Sequence, residues 1–208
     1  MRVNNNNNIT IQRVGIDIRD SKNPSGVGRY IRELVNGLQS DENIELYLFH
    51  DERKETLRYK ISDNVQFEYL TTKHAWFWEQ FWLPIVLARL RIKVYHATNN
   101  KGLPWFYFGR RVLTIHDIIP LIYPEVISGK LQKFRFIYTL RIDAKIANII
   151  IADSVSSKND IIKGLRVVPN KIKVIWPVLF KHYERRKINI DKEIDVKAFV
   201  SINDKYII

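Results

Sequence analysis

Short runs of β-branched and aromatic residues recur along the chain, separated by polar or glycine-containing segments. They are ITIQRVGIDIR (9–19), IELYLF (44–49), VQFEYL (65–70), KVYHA (93–97), RVLTIH (111–116), NIIIA (148–152) and KIKVIW (171–176). Their length and side-chain type read as strands. Segments 27–39, 74–90, 129–146 and 157–166 instead place apolar residues at helical spacing. Strand and helix therefore alternate, which predicts a Rossmann-like α/β fold: a doubly wound, mainly parallel sheet with helices on both faces. No internal repeat is visible.

The same pattern marks boundaries. NNNNN at 4–8 is the one low-complexity tract, so residues 1–8 are expected to form a disordered, Asn-rich leader. A single domain over 9–182 follows, within the usual range of roughly 100 to 200 residues. Residues 183–199 are polar and mixed in charge and read as a linker, and the closing DKYII looks like the first strand of a further unit, giving 183–208 as linker and domain start. Within the domain, Ser157 and Asp160 form a Ser-x-x-Asp capping box that predicts a helix cap at Ser157. Ser154, at the carboxyl end of the preceding strand, is placed to face a ligand. In the helix at 74–90, Trp76, Phe77, Trp78, Phe81 and Trp82 surround the axis instead of forming one stripe, so burial against the sheet is expected.

Composition narrows the chemistry. With no cysteine, disulfides, thiolate catalysis and thiolate metal sites are excluded, and a reducing compartment fits. MRVNNNNN offers no apolar core of a signal peptide. The longest apolar stretch, AWFWEQFWLPIVLARL, is interrupted by Glu79, Gln80, Pro84 and Arg89, so no membrane span is read and a cytoplasmic location is expected. The net charge of +12 is uneven, because residues 130–187 carry 14 Lys/Arg against 4 Asp/Glu. That imbalance suggests an anionic partner such as a membrane surface, with a solvated lysine-rich face as the plain alternative. Lys130, Lys133, Arg141 and Lys145 share a helical sector of about 120° with Phe134 and Ile137, which favours contact at the inner membrane face. No RNA- or DNA-binding motif accompanies the charge, and no nucleic-acid partner is expected.

In open α/β sheets, ligands gather at the carboxyl ends of the strands. Asp17, Arg19, the SGVGR loop, His96, His116 and Asp117 all fall at that edge. GVGRY lacks the dinucleotide fingerprint, because Ile31 stands three residues after Gly28, and it lacks the Lys-Ser/Thr of a P-loop. The glycines thus serve either as a generic anion cradle at a helix N-terminus or as an ordinary tight turn, and spacing leaves both open. His96 and His116 show no metal-ligand spacing, and no metal site is expected.

Taken in order, GIDIR, SGVGRYIRELVNGL, FWEQFWLP, VYHATNNKGLP, RVLTIHDIIPLIYPE and IIIADSVSSKNDI resemble the N-terminal domain of family 4 glycosyltransferases, retaining enzymes of the GT-B fold. The resemblance runs from Val14 to Phe180. It implies a nucleotide-sugar co-substrate and no cofactor, with Gly26, Val27, Gly28 and Arg29 next to the donor diphosphate. It places His116 in the cleft near the transferred sugar as the catalytic candidate. Asn99, Asn100, Lys101, Asp117 and Ser154 would border a glycan or lipid-linked acceptor. The leaving diphosphate itself would help to deprotonate the acceptor hydroxyl. The resemblance further implies a donor-binding C-terminal domain with a Glu-x7-Glu motif, which these 208 residues do not contain, so the chain alone is expected to be inactive unless a separate chain supplies it. After KVIWPVLF the small interdomain residue of relatives is also missing. The alternative is a non-catalytic acceptor-binding or membrane-docking module, or the remnant of a truncated transferase gene.

Overall fold

The computed structural model describes residues 11–51, 62–69 and 75–176. The leader at 1–8, the segment 183–208 and the last part of the basic region at 177–187 lie outside the described residues. Seven strands form one sheet in the order β3-β2-β1-β4-β5-β6-β7, every neighbouring pair parallel. They are β1 (Gln12–Asp17), β2 (Ile44–His50), β3 (Val65–Tyr69), β4 (Val94–Ala97), β5 (Arg110–Ile115), β6 (Ile149–Ala152) and β7 (Ile172–Val174). The expected Rossmann-like, parallel α/β architecture is therefore the one found.

Helix α1 (Gly26–Leu38) buries Gly28, Tyr30, Ile31, Leu34 and Val35, a face that recurs every three to four residues, against Ile16, Leu46 and Leu48 of the first two strands and Ile18 just after β1. On the other face, a π-helical turn (Trp78–Trp82) joins α2 (Ala75–Phe77) to α3 (Leu83–Arg89). With α5 (Lys130–Ile146) and α6 (Val155–Leu165), this segment covers Tyr47, Phe49, Tyr95, Leu113, Ile150 and Ala152. The short α4 (Ile119–Ile122) follows β5. Each fully buried Leu, Ile or Phe in these two layers contributes about 1.5–3 kcal/mol of apolar burial.

Two expectations are corrected here. The aromatic residues of 74–90 are not buried together: Trp78 is 4% exposed, whereas Phe77 and Trp82 are 61% and 59% exposed, and Trp76 and Phe81 also face outward. The π turn adds a residue to one helical turn and rotates Trp78, Glu79 and Gln80 inward as a group, so an α-helical wheel misplaces the tract. The outward rings adjoin Phe106 of the loop before β5, with Phe81 and Phe106 centroids 6.3 Å apart. The cap of α6 is also not Ser157. Ser154 occupies it with extended backbone, and its Oγ accepts from Ser157 N at 3.0 Å. Helix α6 thus starts one turn earlier than the capping box implied, and Asp160 lies on its exposed side.

The glycines opening α1 are not equivalent. A Cβ on Gly28 would sit 1.9 Å from the Asn23 carbonyl oxygen, because the 3-10 turn at Arg19–Lys22 and the residue after it cross directly over the helix. A Cβ on Gly26 would meet nothing within 4 Å. Gly28→Ala is accordingly expected to destabilise the protein by about 2–3 kcal/mol, and Gly26→Ala by less than about 0.5 kcal/mol, in urea melts followed by circular dichroism. Equal stability of the two variants would contradict the close approach at Gly28.

Candidate active site

Strands β1, β4, β5 and β6 deliver their last side chains to one edge, where α1 begins. His116 follows β5 directly. Its Nδ1 lies 2.6 Å from Asp153 Oδ2, just after β6, and its Nε2 lies 3.0 Å from the Thr98 carbonyl oxygen, just after β4. A carbonyl oxygen only accepts, so Nε2 carries hydrogen and donates to Thr98, while Nδ1 faces the Asp153 carboxylate. Both ring nitrogens are therefore held within the protein. The Tyr30 ring of α1 meets the His116 ring edge to face, with centroids 5.1 Å apart, so the first turns of α1 lie beside the imidazole.

Below this dyad, Thr114 Oγ1 joins the Tyr30 hydroxyl at 2.9 Å to His96 Nε2 at 2.8 Å, all of them buried. Burial, reinforced by the neighbouring His116, pushes the His96 imidazole down to about 3, so it stays neutral. One level outward, the Arg19 guanidinium bridges two carboxylates: its Nε donates to Asp17 Oδ1 at 2.9 Å and its Nη2 to Glu79 Oε1 at 2.7 Å. Burial opposes the charge, but Asp17 and Glu79 outweigh it and raise the Arg19 pKa above its usual value. Gly102, at φ +109°, lies flat over this cluster, and a Cβ there would come 3.3 Å from Arg19 Nη2. Asp143 of α5 accepts from Gly102 N, Leu103 N and Trp105 Nε1, and Gln80 donates to Leu103 O and accepts from Trp105 N. The loop after β4 is thereby pinned from both sides.

The residues singled out from sequence separate into groups. Gly26 and Arg29 are exposed, Val27 is half-buried and Gly28 is covered. Ser25, the cap of α1, makes no side-chain hydrogen bond to the helix, so no side-chain cap occupies the N–H groups of Gly26 and Val27. Asn100 sits beside His116: its Oδ1 accepts from His116 N at 3.0 Å, its Nδ2 donates to Asp117 O, and its backbone is left-handed at φ 51°. Asn99 turns away and donates to Asp20 Oδ2, and Lys101 Nζ lies 5.4 Å from the Phe136 ring centroid. Asp117 is exposed and accepts from Ile119 N, while Ser154 is occupied with capping α6. Sequence reasoning passed over Asp153, Thr98, Thr114 and Tyr30. Asp153 carried a readable signal, being a carboxylate one residue past a fully apolar strand, the same position relative to β6 that His116 holds relative to β5.

Residues 24–178 match the model for Glycosyltransferase Family 4. The chain belongs to this family. No curated protein matches it by sequence. Among solved structures, HepE from Anabaena in complex with UDP and glucose is 18% identical, covering 80% of this chain and 44% of its own, with a TM-score of 0.54. Sucrose-phosphate synthase from Thermosynechococcus elongatus is 12% identical, covering 79% of this chain and 48% of its own, at a TM-score of 0.58. A glycosyltransferase from Rickettsia africae is 7% identical at a TM-score of 0.51, over 79% of this chain and 42% of its own. At such identity these likenesses show the fold alone, a Rossmann-like half of the GT-B arrangement, and the family 4 chain spans under half the length of each neighbour.

The neutral His96 sets a pH dependence. Its folded pKa of about 3 lies below the usual 6.5, so acid favours the unfolded chain, which binds the extra proton. This contribution is complete above pH 6.5 and is lost as pH falls toward 3. Asp143 acts with the opposite sign, since burial raises its carboxyl to about 7, and its contribution fades as pH rises through that value. Comparing wild type with His96→Gln cancels the Asp143 part. The wild type is expected to lose about 2 kcal/mol more than His96→Gln between pH 7.5 and 5 in urea unfolding, and parallel pH profiles would contradict a buried neutral His96.

Proposed function

We propose that this chain is the N-terminal, acceptor-side domain of a retaining hexosyltransferase-like glycosyltransferase, moving a sugar from a nucleotide-sugar to a cell-surface glycan or glycolipid. The observation that carries this reading is the adjacency of the α1 N-terminus to the His116–Asp153 dyad at the carboxyl edge, in a family 4 chain. In the proposed mechanism, the free N–H groups at Gly26 and Val27, with the positive end of the α1 dipole and the nearby Arg29, stabilise charge on the leaving diphosphate. His116, its ring held by Asp153 and the Thr98 carbonyl, stands beside the transferred sugar and helps to place it. Asn100 and Asp117 border the acceptor, with Asn99, Lys101 and Ser154 shaping the loops around it. The acceptor hydroxyl loses its proton to the departing diphosphate, which needs positioning more than a protein nucleophile.

Recognition of the base and sugar falls, on this reading, to a second domain. One anion site at a helix N-terminus supplies about 1–2 kcal/mol, against roughly 8 kcal/mol for micromolar affinity. Exposed Leu131, Phe134 and Tyr138 beside Lys130 and Lys133 support peripheral attachment at an anionic membrane on the cytoplasmic side, near a lipid-linked acceptor. No described helix is long and apolar enough to cross a membrane.

Titration of the 208-residue chain with UDP-, GDP- and ADP-sugars tests the reading. Millimolar or weaker binding is expected, with amide shifts confined to 26–30 and 116–117, and no sugar transfer by the chain alone. Micromolar affinity, or shifts that avoid α1, would overturn the placement of the donor phosphates. In an enzyme completed by a donor domain, His116→Ala is expected to lower turnover about 100-fold with little change in melting temperature.

A further inference from the structure

The opposite, amino edge of the sheet carries a second concentration of chemistry. Between the ends of α5 and α6 and the start of β7 lies a groove of about 700 Å³ lined by Arg141, Lys145, Lys163, Arg166 and Lys171, with no carboxylate in its wall. Lys145 lies near the end of α5, which leads into β6, and Lys171 directly precedes β7, so the groove lies at the amino ends of these strands, whereas His116 follows the carboxyl end of β5. Lys171 Nζ donates to Lys145 O at 2.8 Å, which ties one cation to the end of α5. Among the described residues, the side chains of Arg141, Lys145, Lys163 and Arg166 have no ion pair or hydrogen bond.

Complementing the helix ends does not account for so much charge. Each helix C-terminus presents about half a negative charge, so α5 and α6 together offset about one of the five cations. The excess of about four converges in a concave wall, where like charges repel, and Arg166 is held in a left-handed backbone (φ 54°) that favours glycine. An anion of matching charge relieves that repulsion, and planar guanidinium groups pair well with phosphoryl oxygens.

We propose that this groove is a binding site for a ligand carrying at least two adjacent phosphoryl groups, separate from the site at the carboxyl edge. Its size suits a diphosphate with an attached group. The phosphoryl groups belong either to a soluble metabolite or to a phosphorylated lipid headgroup.

The test uses the full chain with inorganic pyrophosphate as the probe, at about 0.15 M salt so that diffuse surface attraction is screened. Amide shifts are expected at 141–145 and 163–171 while 26–30 and 116 stay still. The double variant Lys163→Gln/Arg166→Gln is expected to weaken binding at least 10-fold. Arg91→Gln/Lys93→Gln, which removes the same charge from the exposed turn before β4, is expected to change it less than 2-fold. Circular dichroism melts of both variants check that folding is retained. Shifts spread over all basic surfaces, or equal losses in the two variants, would overturn the site. Phosphatidylcholine vesicles containing phosphatidic acid distinguish the sources. Pyrophosphate displacing the vesicles from wild type would assign the headgroup, and pyrophosphate binding without vesicle binding through this groove would assign the soluble ligand.

Discussion

The Arg19 guanidinium, buried between Asp17 and Glu79, is the joint on which the carboxyl edge depends. Asp17 ends β1, Glu79 belongs to the π turn, and Gly102 lies over the three charged groups, so one ion cluster fixes a strand, a helix and a loop relative to each other. A largely buried cation between two carboxylates tolerates the loss of either poorly, because removal of a partner leaves uncompensated charge that water reaches only in part. The motif WEQ follows from this demand. Trp78 fills the core beside Phe49, Glu79 meets Arg19, and Gln80 holds the loop that leads from β4 to β5.

From that joint the order of the edge can be followed inward. Thr98 Oγ1 donates to Asp17 O at 2.6 Å, and the Thr98 carbonyl accepts from His116, so the position of the imidazole is transmitted from β1 through one residue of the next strand's loop. Asn100 then accepts from His116 N and donates to Asp117 O, while Ser157 Oγ donates to His116 O. His116 is thus held by backbone and side chain from four segments before any ligand arrives. Such preorganisation suits a reaction controlled by placement and charge. The amino edge is built from the opposite material: helix C-termini and cations, with apolar side chains in the wall between them.

Most of the architecture was legible because alternating strand and helix patterns admit few arrangements of a parallel sheet. The seven strands and the buried face of α1 follow from local composition. The exposed aromatic rings did not, since a single added residue between Trp78 and Trp82 changes which side chains share a face, and no periodicity announces a π turn. The cap of α6 was misread for a related reason: Ser154 and Ser157 both satisfy the chemistry of a cap, and only the point where β6 releases the chain chooses between them. For Gly28, sequence raised the question of an anion cradle or a turn. The fold shows why that glycine is required, because the Asn23 carbonyl crosses it, whereas Gly26 remains open. Asp153 escaped notice because its partner is 37 residues away in sequence and is brought close only by the pairing of β5 with β6.

The outward rings of the π turn also give the molecule an optical character. Its five tryptophans are Trp76, Trp78, Trp82, Trp105 and Trp176. Trp78 is enclosed, Trp76 and Trp82 face solvent on the same turn, and Trp105 lies edge-on to Trp76 with centroids 6.0 Å apart. Indole emission from this chain therefore reports chiefly on one surface and on the core directly beneath it. The enclosed ring senses whether the layer is packed, and its exposed neighbours sense whatever comes to rest on that surface.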